Sequence, residues 1–250
     1  MRLFHCKFDP VTYQQSIDWA AEHFRNRRRG YITTVNVSIL MTLQSNQRLK
    51  TFVENSALTV ADGQPIVWLS KLLNRPLPER VTGVDLVPGL CQAATDAGRS
   101  VYFLGSKPDV VNDVAVLMKQ QIPGLDVAGV QDGYFEQDQS QHIAQQVKDS
   151  GAALLIVGLG APKQEAFLEE HWDQLGVDLA IPIGGAFDML TDRKPRAAKW
   201  IQNIGCEWLW RLYLEPRRLA KRYATTNTRF LYLAMMELLF TKPNRTLLDN

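Results

Sequence analysis

"AALLIVGLGAPKQEAFLEEHW", residues 152–172, is the stretch that decides the fold. It opens on a near-continuous apolar run and turns on Gly158 and Gly160. It then enters a pattern in which Ala166, Phe167 and Trp172 fall on a helical face, less regularly than in a long amphipathic helix. A strand apolar on both faces, followed by a glycine turn and a helix, is the unit of a parallel sheet covered on both sides. The same grammar recurs in "SVYFLGSKPDVVNDVAVLMKQ" (100–120), where Val110, Val111, Val114 and Leu117 recur at helical spacing, and in "DLAIPIGGAFDML" (178–190). An earlier run, "GYITTVNVSIL" (30–40), reads as another strand leading into a helix.

The expected fold class is therefore α/β, a Rossmann-like parallel sheet flanked by helices. Such sheets bind ligands beyond the carboxyl ends of their strands. That expectation sets the loops at Gly105, Gly158–Gln164 and Gly184–Asp188 along one rim.

Charge divides the chain. Residues 1–193 carry 17 Lys/Arg against 22 Asp/Glu, whereas residues 194–250 carry 11 against 4. The reading is an acidic α/β catalytic domain over 1–193 and a basic helical C-terminal appendage over 194–250. The appendage interleaves its cations with Trp200, Trp208, Trp210, Tyr213 and Tyr223. The segment 215–240 reads as one helix with Pro216 in its first turn, where the missing N–H costs nothing. A cationic face backed by an aromatic and aliphatic one is the composition of a helix lying on an anionic membrane surface. Nucleic acid is the alternative for a basic segment, but Leu209, Leu212, Leu214 and Leu219 suit lipid or protein better than a phosphodiester backbone.

Cys6, Cys91 and Cys206 stand far apart and form no metal-ligand spacing, which fits a reducing compartment. The N-terminus lacks the apolar core of a signal peptide. The run Phe230 to Phe240 holds Glu237 and is far short of the roughly 20 residues that span a bilayer. The expectation is a cytoplasmic protein, peripheral at most on the inner membrane face.

The glycine turns suit phosphate, because a helix N-terminus offers free N–H groups and a positive dipole end. None matches a dinucleotide fingerprint or a P-loop, and Pro162 interrupts "VGLGAP" where the first would continue. A nicotinamide-dependent oxidoreductase stays open as an alternative, as does a non-catalytic membrane or nucleic-acid adaptor. The four histidines are scattered, no GxSxG elbow is present, and no Asp-x-Asp occurs to anchor a divalent metal on a nucleoside diphosphate. No metal and no cofactor are expected, and a diphosphate would be met by backbone N–H groups, Arg and Lys.

Several residues have two readings. Gln164 and Glu165 open the helix after Pro162. Glu165 could complement the helix dipole while Gln164 is solvated, or Gln164 could bridge sugar hydroxyls. In "PERVTGVDLVPGL" (78–90), Asp85 could cap a helix beginning at Leu86, and Arg80 could be a surface charge or a clamp on a pyrophosphate. Thr34 and Asn36 would share one side of a strand and either line a pocket or face water. In "TVADGQPIVW" (59–68), Asp62 is either half of a tight turn or a carboxylate at the rim, with Gly63 letting the chain bend so that it faces inward.

Taken in order, "TTVNVSIL", "VADGQPIVW", "RVTGVDLVPGL", "VYFLGS", "GLGAPKQE", "IGGAFD" and "EWLWRLYLEPRRLAKRY" resemble the WecG/TagA/CpsF glycosyltransferases, glycosyltransferase family 26, over about residues 30–240. The resemblance implies transfer of a sugar from a UDP-sugar to a polyprenyl-diphosphate-linked saccharide, with inversion and without metal. The donor sugar would be N-acetylmannosamine, its uronic acid or glucose. Asp62 then matches the family's general base and Arg80 its cation near the leaving diphosphate. Thr34, Asn36 and Gln164 match the acceptor-side pocket. Tyr134 and Asp188 lie where related enzymes hold the uridine, beside the turns at Gly105, Gly158, Gly160 and Gly185. Arg211, Arg218 and Lys221 match cations that meet the lipid diphosphate. The implied partners are the UDP-sugar, the lipid-linked acceptor and an anionic membrane surface, with no nucleic acid. The oligomeric state stays open, a homo-oligomer included.

Overall fold

The computed structural model describes residues 1–240, other than the side chains of Lys199, Asn203 and Arg218. Its strands are β1 (Arg2–Leu3), β2 (Cys6–Lys7), β3 (Gly30–Val35), β4 (Leu58–Ala61), β5 (Val101–Gly105), β6 (Val127–Gln131), β7 (Leu154–Gly158) and β8 (Leu179–Pro182). β1 and β2 form a small antiparallel hairpin, and the other six make one sheet in the order β4–β3–β8–β7–β5–β6. Every pairing in that sheet is parallel.

The apolar runs that announced the strands are buried on both sides. Ile32, Phe103, Ile156 and Ile181 face one core, and Val35, Leu104, Val157 and Ala180 face the other. On the first face lie α1 (Tyr13–Asn26), then α5 (Gly83–Asp96), α6 (Pro108–Gln121) and α9 (Ala186–Leu190). On the second lie α2 (Val37–Thr42), α3 (Gln47–Glu54), α4 (Gln64–Leu72), α7 (Ser140–Asp149) and α8 (Lys163–Leu175). The strands that reading 30–40, 100–120, 152–172 and 178–190 led us to expect are all present, each followed by its helix.

Two local details differ from the sequence reading. α5 starts at Gly83 rather than Leu86, because the Thr82 hydroxyl accepts from the Asp85 N–H at 3.1 Å and caps the helix. Asn36 lies one residue beyond β3, so strand alternation does not govern it. Its side chain caps α2 by accepting from Ile39 N–H at 3.0 Å.

The appendage is three helices, α10 (Lys199–Asn203), α11 (Glu207–Leu214) and α12 (Pro216–Phe240). Leu219, Tyr223, Phe230 and Ala234 form one buried stripe of α12. Phe230 meets the Phe4 ring edge-on at 6.0 Å. Part of the apolar face read as lipid-facing therefore belongs to the protein's own core. Leu231, Tyr232, Met235, Leu238, Leu239 and Phe240 remain exposed. Among the described residues no helix is long and apolar enough to cross a membrane.

Helix placement creates the crevices. After β3 the chain leaves toward the second face and after β8 toward the first, so the carboxyl ends of these paired strands open apart. β7 and β5 diverge in the same way. At the β5/β7 crevice the strands crowd instead: a Cβ on Gly105 would lie 2.4 Å from the Gly158 carbonyl carbon, at φ +130°. Gly105→Ala is expected to cost about 2–4 kcal/mol by clash and strain, read as a lowered midpoint in urea denaturation.

Candidate functional site

A cavity of about 430 Å³ sits over the carboxyl ends of β3 and β8. Its floor carries Thr34, Asn36, Asp62, Gln164 and Gly184, and α11 and α12 form its roof with Trp210, Arg211, Leu219 and Arg222. Thr34, Asn36, Asp62 and Gln164, all singled out in the sequence, thus meet in one place, although they come from three separate segments.

Asp62 directly follows β4, held by its N–H donating to the Val35 carbonyl at 3.0 Å. The Asp-Gly pair is not a tight turn. Gly63 is extended at φ −144° and starts α4, and a Cβ there would make only ordinary contacts, the nearest at 3.5 Å. Asp62 therefore points as it does because the strand ends and a helix begins, not because glycine permits a bend. Its carboxyl has no hydrogen bond or ion pair to any described residue, although it opens on the cavity deep within the protein. Burial pushes its pKa up to about 7, against the pull of Arg211 and Arg80 and with the push of Glu207 and Asp85.

That shift has a sign for stability. The folded state holds the Asp62 proton more tightly than the unfolded chain does. The stabilisation is complete below the unfolded pKa of 3.8 and is lost as pH rises through about 7. Asp62→Asn is expected to match the wild type in thermal unfolding at pH 3.5. At pH 8 it should exceed it by roughly 4 °C or more.

Arg80 lines not this cavity but the neighbouring one that also opens on Asp62. It donates to Glu207 at 2.7 Å and to Gln202 at 3.2 Å, tying the body to the appendage. Arg196 pairs with Asp85 at 2.6 Å and shares the same Gln202 oxygen at 3.4 Å. Arg211 bonds the second oxygen of Glu207 at 3.2 Å. Burial pushes Asp85 and Glu207 up, but their guanidinium partners win and both carboxyls lie below their usual range. Lys194 spans Asp188 at 3.5 Å and Glu215 at 2.8 Å. Glu207, Gln202, Arg196, Lys194 and Arg222 all escaped sequence reading. Glu207, Gln202 and Arg196 find partners in Arg80 and Asp85, more than a hundred residues away, and no spacing announces such a pairing.

Gln164 and Glu165 are buried, so the reading of a solvated Gln164 is set aside. Gln164 accepts from Gly184 N–H at 2.8 Å and donates to Glu165 at 2.9 Å, which locks the amide at the cavity wall. The other Glu165 oxygen is buried without a partner, and burial pushes the carboxyl up.

The remaining residues divide. Gly160 and Gly185 line the main cavity with Asp62. Gly105 and Gly158 sit at the β5/β7 crevice, packed against each other. Tyr134 is 73% exposed beside that crevice, and its N–H donates to Asp132. Asp188 opens α9 and faces Lys194 rather than the cavity. Lys221 is exposed on α12, whereas the Arg218 side chain falls outside the described residues. Among the described residues, the geometry offers the unpaired Asp62 carboxyl near neutrality, with guanidinium groups and the Lys194 ammonium lining the same cleft at a sheet switch point. Compared with models of known protein families, residues 1–244 match the one described as the glycosyl transferase WecG/TagA/CpsF family.

Proposed function

The chain belongs to the WecG/TagA/CpsF family of glycosyltransferases of cell-surface polysaccharide synthesis, and on that premise we propose that it moves a sugar from UDP to a polyprenyl-diphosphate-linked saccharide with inversion. The oxidoreductase and adaptor readings give way to the family. The observation that carries the finer reading is the Asp62 carboxyl, unpartnered among the described residues on the cavity floor, with its pKa raised to about 7.

In this mechanism Asp62 accepts the proton of the acceptor hydroxyl. The hydroxyl oxygen attacks the anomeric carbon from the face opposite UDP as the anomeric carbon–oxygen bond to the diphosphate breaks. The electron pair leaves with UDP. A carboxylate with a pKa near the working pH is well matched to this step. Developing charge on the leaving diphosphate is met by Arg196, Arg211 and Lys194, which line the same cavity. Arg80 acts one step back, holding Glu207, which in turn holds Arg211. The turns around Gly105, Gly158 and Tyr134 would carry the uridine at the neighbouring crevice, Gly160 and Gly185 the sugar phosphate, with Asp188 beside them.

We place the protein on the inner face of the membrane through the exposed apolar end of α12 and the exposed cations Arg217, Lys221 and Arg229. The boundary at 193/194 is then one of roles, a catalytic body and a membrane-facing appendage, even though the two share buried contacts. The test is a panel of UDP-sugars with a polyprenyl-diphosphate-linked acceptor. One donor should give product with inverted anomeric configuration, and retention or no consumption of any UDP-sugar would reject the reading.

A further inference from the structure

A second cavity of about 280 Å³ opens on the far side of Asp62, between α4 and α12. It shares Asp62, Asn36, Glu207, Arg211, Arg222 and Tyr223 with the first, so the two meet at the carboxylate. Its own walls are different in kind. Pro65, Trp68, Trp208, Phe230 and Leu231 line it, with Gly205 closing one side. Trp208 stands edge-on to Tyr223 at 5.9 Å, and a Cβ on Gly205 would meet the Trp68 ring at 2.7 Å.

The groove has a direction. Its inner part is buried at Tyr223 and Phe230, and its rim is exposed, with Trp68 at 44% and Leu231 at 67%. α4 begins two residues after Asp62 and leads away from it. Leu72, one turn beyond Trp68, and Met235, one turn beyond Leu231, continue the exposed apolar rim. At about 1.5 Å per residue, α4 runs roughly 13 Å beyond Asp62, and the part of α12 that lines the groove, Tyr223 to Leu231, spans about 12 Å.

The charged residues of its lining are Asp62, Arg80, Glu207, Arg211 and Arg222, and Arg80 and Arg211 are both bonded to Glu207. Arg222 lies over the Tyr223 ring at 5.6 Å and has no ion pair among the described residues, at the junction of the two cavities. Arg211 is beside it, bonded to Glu207. A ligand suited to this shape has an anionic head at Arg222, a sugar reaching Asp62, and a narrow apolar tail leading away along the aromatic walls. A free nucleotide or a soluble sugar would leave the aromatic walls wet.

We infer that the α4–α12 groove holds the first isoprenoid units of the lipid-linked acceptor, with Arg222 taking its diphosphate. This rests on the acceptor class proposed above, and it adds a binding site and a cation that the family resemblance did not supply. The lipid then enters the site from the side opposite the donor cavity. Transfer occurs where the two cavities share Asp62.

The test is a binding measurement that needs no turnover, so it is independent of whether any UDP-sugar is consumed. The full chain is photolabelled with a farnesyl-length isoprenyl diphosphate carrying a diazirine on its tail, and the adducts are mapped by mass spectrometry. Adducts on Trp68, Trp208 or Leu231 are expected. In parallel, Trp68→Gln and Leu231→Gln, both at exposed positions, should weaken prenyl diphosphate binding at least tenfold and leave inorganic pyrophosphate binding within twofold. Adducts confined to Leu238–Phe240, or variants that bind the prenyl diphosphate as the wild type does, would show that the lipid touches only the outer surface of α12 and overturn the assignment.

Discussion

Asp62→Asn is expected to lower kcat by about 10³-fold while UDP binding and folding persist. The asparagine keeps the shape of the side chain and removes only its basicity. The structure gives a reason to expect a clean separation, because the carboxyl has no hydrogen-bond partner among the described residues. For the wild type, kcat/KM should rise with pH through about 7 and then level, since the carboxyl must be ionised to act. The variant should show no such rise. Turnover within tenfold of the wild type in Asp62→Asn would end the general-base assignment.

The second large effect concerns the link between body and appendage. Arg80 and Glu207 are a nearly buried pair, with side chains only 14% and 11% exposed. Removing one partner of such a pair strands the other charge, and Arg80→Ala is expected to cost about 3 kcal/mol. Arg211 still holds one Glu207 oxygen, so the loss should stop short of unfolding. The double variant Arg80→Ala/Glu207→Gln should recover most of that stability, because the buried carboxylate is gone and the half-exposed Arg211 keeps an amide oxygen to donate to. Catalysis gives an independent reading. Arg80 lowers the Asp62 pKa and Glu207 raises it. Arg80→Ala should therefore move the pH–rate rise upward, and the double variant should bring it partly back. A pH profile unmoved in Arg80→Ala would show that Arg80 and Asp62 are not coupled. A double variant as unstable as the single one would show that the ion pair is not what the fold loses.

How much of this the sequence disclosed follows from the range of each interaction. The parallel sheet was legible because strands buried on both faces must be apolar throughout, as in Leu154–Gly158. The cluster of Thr34, Asn36, Asp62 and Gln164 was legible only through the family resemblance, since three different strand ends bring it together. Asp85 looked like a cap because acids cap helices, yet Thr82 is the residue with the right offset. The glycines at 105 and 158 read as phosphate turns, and the structure adds that close strand approach alone already requires them. Glu207 was the least legible. In a segment read as cationic surface, an acid looked incidental, and its meaning depends on Arg80, 127 residues earlier.

β8 lies between β3 and β7, yet it is the last of the sheet strands to leave the ribosome. Until it is made, the nascent chain can hold only β4–β3 as one piece and β7–β5–β6 as another, each with an unpaired inner edge. Such edges are sticky toward other chains. Joining Gly30 to Leu179 closes a very long loop, which makes the step slow. The yield of native protein should thus hinge on keeping the two halves apart from other chains until the keystone strand arrives. Slower synthesis at lower temperature, or a chaperone that shields open strands, acts on that interval.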